Sequence, residues 1–193
     1  LQMALMSSDN HAAHAIARTS PKGLDGFIED MNRVARLMGM KDASFDDPSG
    51  LSPNNRASAS DLAVLVKAAA RHEMIRDLST AEQAAIAPFN GRPRVFRTTN
   101  RLVRSGEMDI DLQKTGYTAA AGKCLVLYVR VESRPFVVVL MDSDNSSGRF
   151  ADALAVNRVI QKNIHAFAMP KDPLAGTLSS SLTPSFMVVT SAS

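Results

Sequence analysis

The apolar positions of this chain change their period once, just after Arg104. Ahead of that point they recur at helical spacing. Phe27, Met31, Val34 and Met38 fall on one face and predict an amphipathic helix over 25–38, which Gly39 stops. The alanine-rich stretch 11–18 (HAAHAIAR) predicts a helix that runs on from a Ser8-Asp9-Asn10 turn. Proline and glycine between Asp46 and Pro53 forbid regular structure there. Ser58 or Ser60 then caps a helix through Leu62, Leu65, Val66 and Ala69, and short helical turns follow around 73–78 and 80–87, ending at Pro88.

Past Arg104, Asp111–Thr118, Cys124–Val131 and Phe136–Met141 read as strands rich in valine and leucine. The turns at Ala121-Gly122 and Glu132–Pro135 are short, so the strands pair antiparallel as a meander. Ser146 or Ser147 is expected to cap a last helix bearing Phe150, Ala153, Val156, Ile160, Ile164 and Phe167, laid on the sheet. From Ala168 the composition shifts to proline, serine and threonine. Residues 170–193 are expected to be poorly ordered, with Phe186–Val189 the only piece able to dock.

The order of elements predicts an α+β fold: an antiparallel sheet covered by helices, a helical lobe, and a cleft between them. Residues 1–168 form the domain and 169–193 a tail. One helix is thin cover for the apolar runs 124–131 and 136–141, which demand burial on both faces and neighbours on both edges. The expectation is therefore that further strands precede Leu1 in the intact protein. Residue 1 being leucine, not an initiator methionine, agrees with a chain that begins inside a longer reading frame.

Composition narrows the class. With 193 residues, 45% hydrophobic and 21% charged, the chain can bury a real core and is not disordered. No window approaches the roughly 18 apolar residues of a membrane span. The lone Cys124 cannot form an intrachain disulfide and leaves the compartment open; on a strand, it reads as a small core residue. The net charge is +3, and much of the basicity sits at Arg92, Arg94, Arg97, Arg101 and Arg104. Such a stretch can bind nucleic acid or an anionic polymer, but no nucleic-acid motif accompanies it. It reads as a solvated surface segment, and no nucleic-acid partner is expected. His11 and His14 lie three apart on a helix without a third ligand nearby, so no metal and no other cofactor is expected. His72 and His165 read as surface or half-buried residues.

Two short strings carry chemistry: Ser8-Asp9-Asn10 and Lys114-Thr115-Gly116, whose leading residues are 106 positions apart (114 − 8). They are two parts of the three-part signature of serine acyl-transferases acting on D-alanyl peptides or β-lactams. The third part, Ser-x-x-Lys, is absent. The nearest string, Thr19-Ser20-Pro21-Lys22, has threonine where the serine belongs. Each string alone has a plainer reading. Ser8 can cap the following helix, and Lys114 can be an edge-strand lysine before a bend.

Read in order, residues 3–18 (MALMSSDNHAAHAIAR), 31–52 (MNRVARLMGMKDASFDDPSGLS) and 112–126 (LQKTGYTAAAGKCLV) resemble the low-molecular-mass penicillin-binding proteins. The nearest subgroup is the periplasmic D-alanyl-D-alanine endopeptidases and carboxypeptidases, and the resemblance covers roughly residues 1–168. It implies acyl transfer on peptidoglycan peptides through an acyl-enzyme, which needs a nucleophile, a proton path and oxyanion donors. Ser8 matches a serine that relays a proton to the leaving amine, and Asn10 an amide that orients the peptide. Lys114 matches a lysine placing positive charge in the cleft. Thr115 matches a hydroxyl that bonds the substrate carboxylate, Gly116 a close backbone approach, and the Tyr117 N–H an oxyanion donor.

The matching strings Met6–Asn10 and Gln113–Thr118 look more like the endopeptidases than the carboxypeptidases. A serine β-lactamase shares both motifs, but 31–52 resembles the peptidases. Without its serine the chain is expected to be inactive alone, and to react with β-lactams only if the nucleophile is restored. The resemblance places the protein in the periplasm. The competing reading is a non-catalytic remnant that binds muropeptide or a partner protein.

Overall fold

The computed structural model describes residues 1–87, 91–143, 145–165 and 185–186. The chain opens with α1 (Gln2–Met6) and α2 (Asn10–Arg18), joined by a tight turn at Ser7–Asp9. Asp9 is the N-cap of α2: its carboxylate accepts from the Ala12 N–H at 2.7 Å. That contact disposes of the plainer reading of Ser8, because the capping role is taken by its neighbour.

α3 (Gly23–Leu37) is the expected amphipathic helix. Its stripe of Phe27, Met31, Val34 and Met38, with Met40, Phe45 and Leu65, lines an apolar hollow of about 360 Å³. α4 (Ala59–Ala69) begins at Ser58, which forms a reciprocal capping box with Asp61. α5 (Glu73–Thr80) follows.

The expected helical turn at 80–87 is instead a strand. β1 (Gln83–Ile86) pairs antiparallel with β2 (Arg94–Arg97), putting Ile86 opposite Arg94 and Ala84 opposite Phe96. A short alanine-containing run carries no decisive period, and cross-strand pairing decided the outcome. Asn100 caps the short α6 (Arg101–Ser105), its amide oxygen accepting from Leu102 N.

The main sheet is the expected meander: β3 (Asp109–Thr118), β4 (Gly122–Val131) and β5 (Arg134–Ser143), in that order. Alternation along β4 and β5 gives the sheet two buried faces. Leu125, Leu127, Val129, Phe136, Val138 and Leu140 meet Phe150, Ala153 and Ile160 of α7 (Ser146–Lys162), and Ile164, which was expected on that helix, packs in the same cluster from the turn just beyond its end. Val137 and Val139 face the other way, onto Ala59, Ala63 and Val66 of α4. Burying each large aliphatic side chain contributes roughly 1.5–3 kcal/mol. The missing cover for the apolar strands thus comes in part from α4, whose alanines allow close approach.

The outer edge of β3 lies under α5. Gln113 N–H donates to Ser79 Oγ at 3.4 Å, and Gln113 Nε2 to Ser79 O at 2.7 Å. On the opposite edge β6 (Ser185–Phe186) pairs parallel with Phe136–Val137. The remainder of the 169–193 tail, including its expected disorder and Val188–Val189, lies outside the described residues. The cap of α7 is Asn145, accepting from Gly148 N–H at 2.8 Å, not Ser146 or Ser147. Asparagine reaches the third amide as well as serine does, so composition alone did not separate them. Among the described residues, no helix is long and apolar enough to cross a membrane.

Candidate active site

The α1–α2 turn and the edge strand β3 form two walls of one cleft of about 240 Å³. It is lined by Ser8, Asn10, Leu51, Thr99, Thr115, Gly116, Tyr117 and Arg149. Five of the six residues singled out in the sequence therefore share one cavity, and the sixth, Lys114, is bonded to its wall.

The turn presents Ser8 in a left-handed conformation, φ +56°. Such backbone is unfavourable for a residue with a Cβ, and it aims the hydroxyl away from α2 and toward β3. There the Ser8 hydroxyl donates to the Thr115 carbonyl at 3.1 Å. The Lys114 ammonium donates to Ser8 Oγ and to the same carbonyl, the latter at 2.8 Å. Burial and, secondarily, the nearby Arg149 charge push Lys114 down to about 8 from 10.5. An amine with that affinity holds and releases a proton near neutral pH.

Edge-strand geometry explains why β3 serves the cleft. Backbone groups of alternate residues point outward from an edge strand. The Gln113 N–H reaches α5 and the Thr115 carbonyl reaches Ser8, so the same alternation turns the Tyr117 N–H toward the cleft. The Tyr117 ring is 59% exposed, and the Lys123 ammonium sits 3.2 Å from its centroid. Gly116 lies opposite Cys124, whose side chain is half-buried and not a core residue; a Cβ on Gly116 would sit 3.7 Å from the Cys124 Cβ. Glycine there keeps the strand surface low beside the cleft.

Three cleft residues were not singled out from the sequence. Thr99 shares a 2.6 Å hydrogen bond with Thr115, Oγ1 to Oγ1. Arg149 is buried, and its Nη1 donates to the Gly116 and Cys124 carbonyls at 2.9 and 3.0 Å. Leu51 is carried in by the loop after Asp47. That carboxylate accepts from Ser49 N, Ser49 Oγ, Gly50 N, Ser52 N and Asn55 Nδ2 at 2.6–2.9 Å. Burial pushes the Asp47 carboxyl up, but these donors outweigh it and hold the group well below the usual carboxylate range. Asp47 followed by Ser-Gly is a turn signal readable in sequence. For Thr99 and Arg149 no local signal existed, since only packing brings them to β3.

The profile of the D-alanyl-D-alanine carboxypeptidase family matches residues 1–145. The D-alanyl-D-alanine endopeptidase of Escherichia coli (strain K12) is 40% identical over 155 residues, covering 79% of this chain and 50% of the relative. That of Pseudomonas aeruginosa is 35% identical over 162 residues, covering 83% and 52%. The chain spans about half the length of the curated relatives it matches. Among solved structures, penicillin binding protein 6B from Escherichia coli superposes with a TM-score of 0.72 at 29% identity, covering 83% of this chain and 50% of that one.

Proposed function

Since the chain belongs to the D-alanyl-D-alanine carboxypeptidase family, we propose that its cleft is the leaving-group and carboxylate side of a serine-type D-alanyl-D-alanine peptidase acting on peptidoglycan in the periplasm. Endopeptidase action on cross-links is favoured over trimming of terminal D-Ala, in line with the two endopeptidases at 40% and 35% identity. The observation that carries this reading is the meeting of Ser8 and Lys114 at the Thr115 carbonyl.

Acyl transfer at a D-alanyl carbonyl leaves an amine that must gain a proton as the C–N bond breaks. Ser8 stands between the proton reservoir and that amine. Its hydroxyl proton rotates from Thr115 O to the departing nitrogen, while the Lys114 ammonium replaces it on Oγ. The resulting amine on Lys114 is tolerable because burial has already lowered its proton affinity to near 8. Asn10 orients the peptide with its amide. Thr115, held by Thr99, bonds the substrate carboxylate. Gly116 permits backbone approach, and the Tyr117 N–H donates to the oxyanion.

The nucleophile is not in this sequence: no serine has lysine three positions on. Alone, the chain is therefore inactive toward peptides and β-lactams. The same fact supports the second reading, a non-catalytic remnant that binds muropeptide or a partner protein. Fluorescent penicillin separates the two. The 193-residue chain is expected to take no covalent label, whereas a chimera joined to a relative's Ser-x-x-Lys segment labels and cuts muropeptide dimers. Covalent labelling of the chain itself would overturn the missing nucleophile. A folded chimera that neither labels nor cuts leaves the remnant reading in place.

A further inference from the structure

We propose that Arg97 and Arg101, with Arg104 beyond them, form an anionic-polymer exosite at the mouth of the cleft, holding the stem-peptide carboxylates of polymeric peptidoglycan beyond the bond being cut. The inference rests on the peptidase reading of the cleft and names a surface that reading does not use.

Residues 92–104 contain five arginines and no aspartate or glutamate. All five are exposed, and none forms an ion pair with a described residue. The nearest acidic residues in sequence, Glu82, Glu107 and Asp109, lie outside that run. A solvated face ordinarily mixes signs, so an unmixed run of arginine leaves a positive field without an internal partner.

The run is fixed to the cleft. β2 leads directly into Thr98, Thr99 and Asn100; Thr98 and Asn100 are buried, and Asn100 N–H donates to Thr98 Oγ1 at 3.2 Å. Thr99 is a cleft wall bonded to Thr115, and Arg97 and Arg101 stand two residues to either side of it. Strand alternation turns Arg97 outward with the 61% exposed Val95, while Phe96 turns inward.

A second contact ties Arg101 to the cleft. The Phe150 ring carries two guanidinium groups: Arg149 of the cleft at 4.9 Å from its centroid, and Arg101 of α6 at 5.2 Å. Stacking holds Arg101 in place. It also links like charges in pairs, Lys114 with Arg149 and Arg149 with Arg101 across the Phe150 ring, and an anion near them relieves their repulsion. Carboxylate suits the site better than nucleic acid. Between 91 and 105 the only aromatic residue is the half-buried Phe96, so the arginine run itself offers a base no exposed ring to stack on.

The test is co-sedimentation of the 193-residue protein with purified sacculi across a salt series, beside binding of a soluble D-alanyl-D-alanine tripeptide. In R97Q/R101Q/R104Q, sacculus affinity is expected to fall at least tenfold and its salt slope to flatten, with tripeptide binding unchanged. R97K/R101K/R104K, which keeps the charge, is expected to retain most of the affinity. Sacculi whose carboxylates are amidated are expected to lose the parent protein. Equal sacculus binding by the glutamine variant, a flat salt response of the parent, or undiminished binding to amidated sacculi would each overturn the proposal. Tighter retention on duplex DNA than on sacculi at equal salt would also overturn it, in favour of nucleic acid. Sacculus binding that depends on the arginines while the tripeptide fails to bind the parent would sink the cleft reading and leave the exosite standing.

Discussion

The Ser8 hydroxyl and the Lys114 ammonium share one acceptor, the Thr115 carbonyl, at 3.1 and 2.8 Å, across 106 positions of sequence. Neither group is placed there by its own local structure alone. Ser8 reaches it through a left-handed turn whose cap is Asp9, and Lys114 through an edge strand shielded by α5. The arrangement concentrates strain and buried charge at one spot, which makes it open to measurement.

Backbone strain at Ser8 separates from its hydroxyl chemistry by comparing two variants. Ser8→Ala and Ser8→Gly both delete the hydroxyl, but only glycine adopts φ +56° freely. Ser8→Gly is expected to be more stable than Ser8→Ala by about 1 kcal/mol, a Tm difference of roughly 2–4 °C. Equal melting temperatures in calorimetry would show the turn to be unstrained.

Lys114 imposes a pH dependence of definite sign. Below pH 8 both folded and unfolded chains carry its proton, and the fold bears the cost of the buried charge. Between about 8 and 10.5 the unfolded chain binds more protons, so stability rises with pH. Relative to Lys114→Met, the parent is expected to gain on the order of 2 kcal/mol across that window in urea titrations. A difference curve that stays level would refute the lowered proton affinity.

The Asp47 turn predicts the opposite slope. Its carboxyl stays ionised in the fold to lower pH than in the unfolded chain, so its stabilisation is complete above about pH 4 and is lost as pH falls. Asp47→Ala strands five donors and is expected to cost about 2–3 kcal/mol. Asp47→Asn should remove the acid slope, read from denaturant midpoints between pH 5 and 3.

The β4–β5 turn is suboptimal. Glu132 and Ser133 both hold positive φ, +49° and +64°, in a two-residue connection that favours Asn-Gly. Ser133→Gly is expected to stabilise the chain by roughly 0.5–1 kcal/mol, seen as a higher urea midpoint with unchanged slope.

Periodic segments are legible in the sequence. The helical stripe from Phe27 to Met38 and the valine-rich strands 124–131 and 136–141 state their own structure, because one face or both must leave water. The motif residues Ser8, Asn10, Lys114, Thr115, Gly116 and Tyr117 were legible too, as residue types in a pattern. The failures fell where no period operates. Ala84 and Ala85 fit helix or strand equally, and pairing with β2 made them a strand. Asn145 outcompeted two serines for a cap any of them could fill.

By itself, then, the sequence determined the helix or strand state of its strongly periodic segments and which residue types stand in the two motifs, since burial periodicity and functional-group type are local properties. Only the tertiary structure decided that Thr99 locks Thr115, that Arg149 and Arg101 share the Phe150 ring, and that Lys114 is desolvated beside Ser8. Those are distances and dielectric environments between residues far apart in the chain, and they exist only once packing has excluded water from between them.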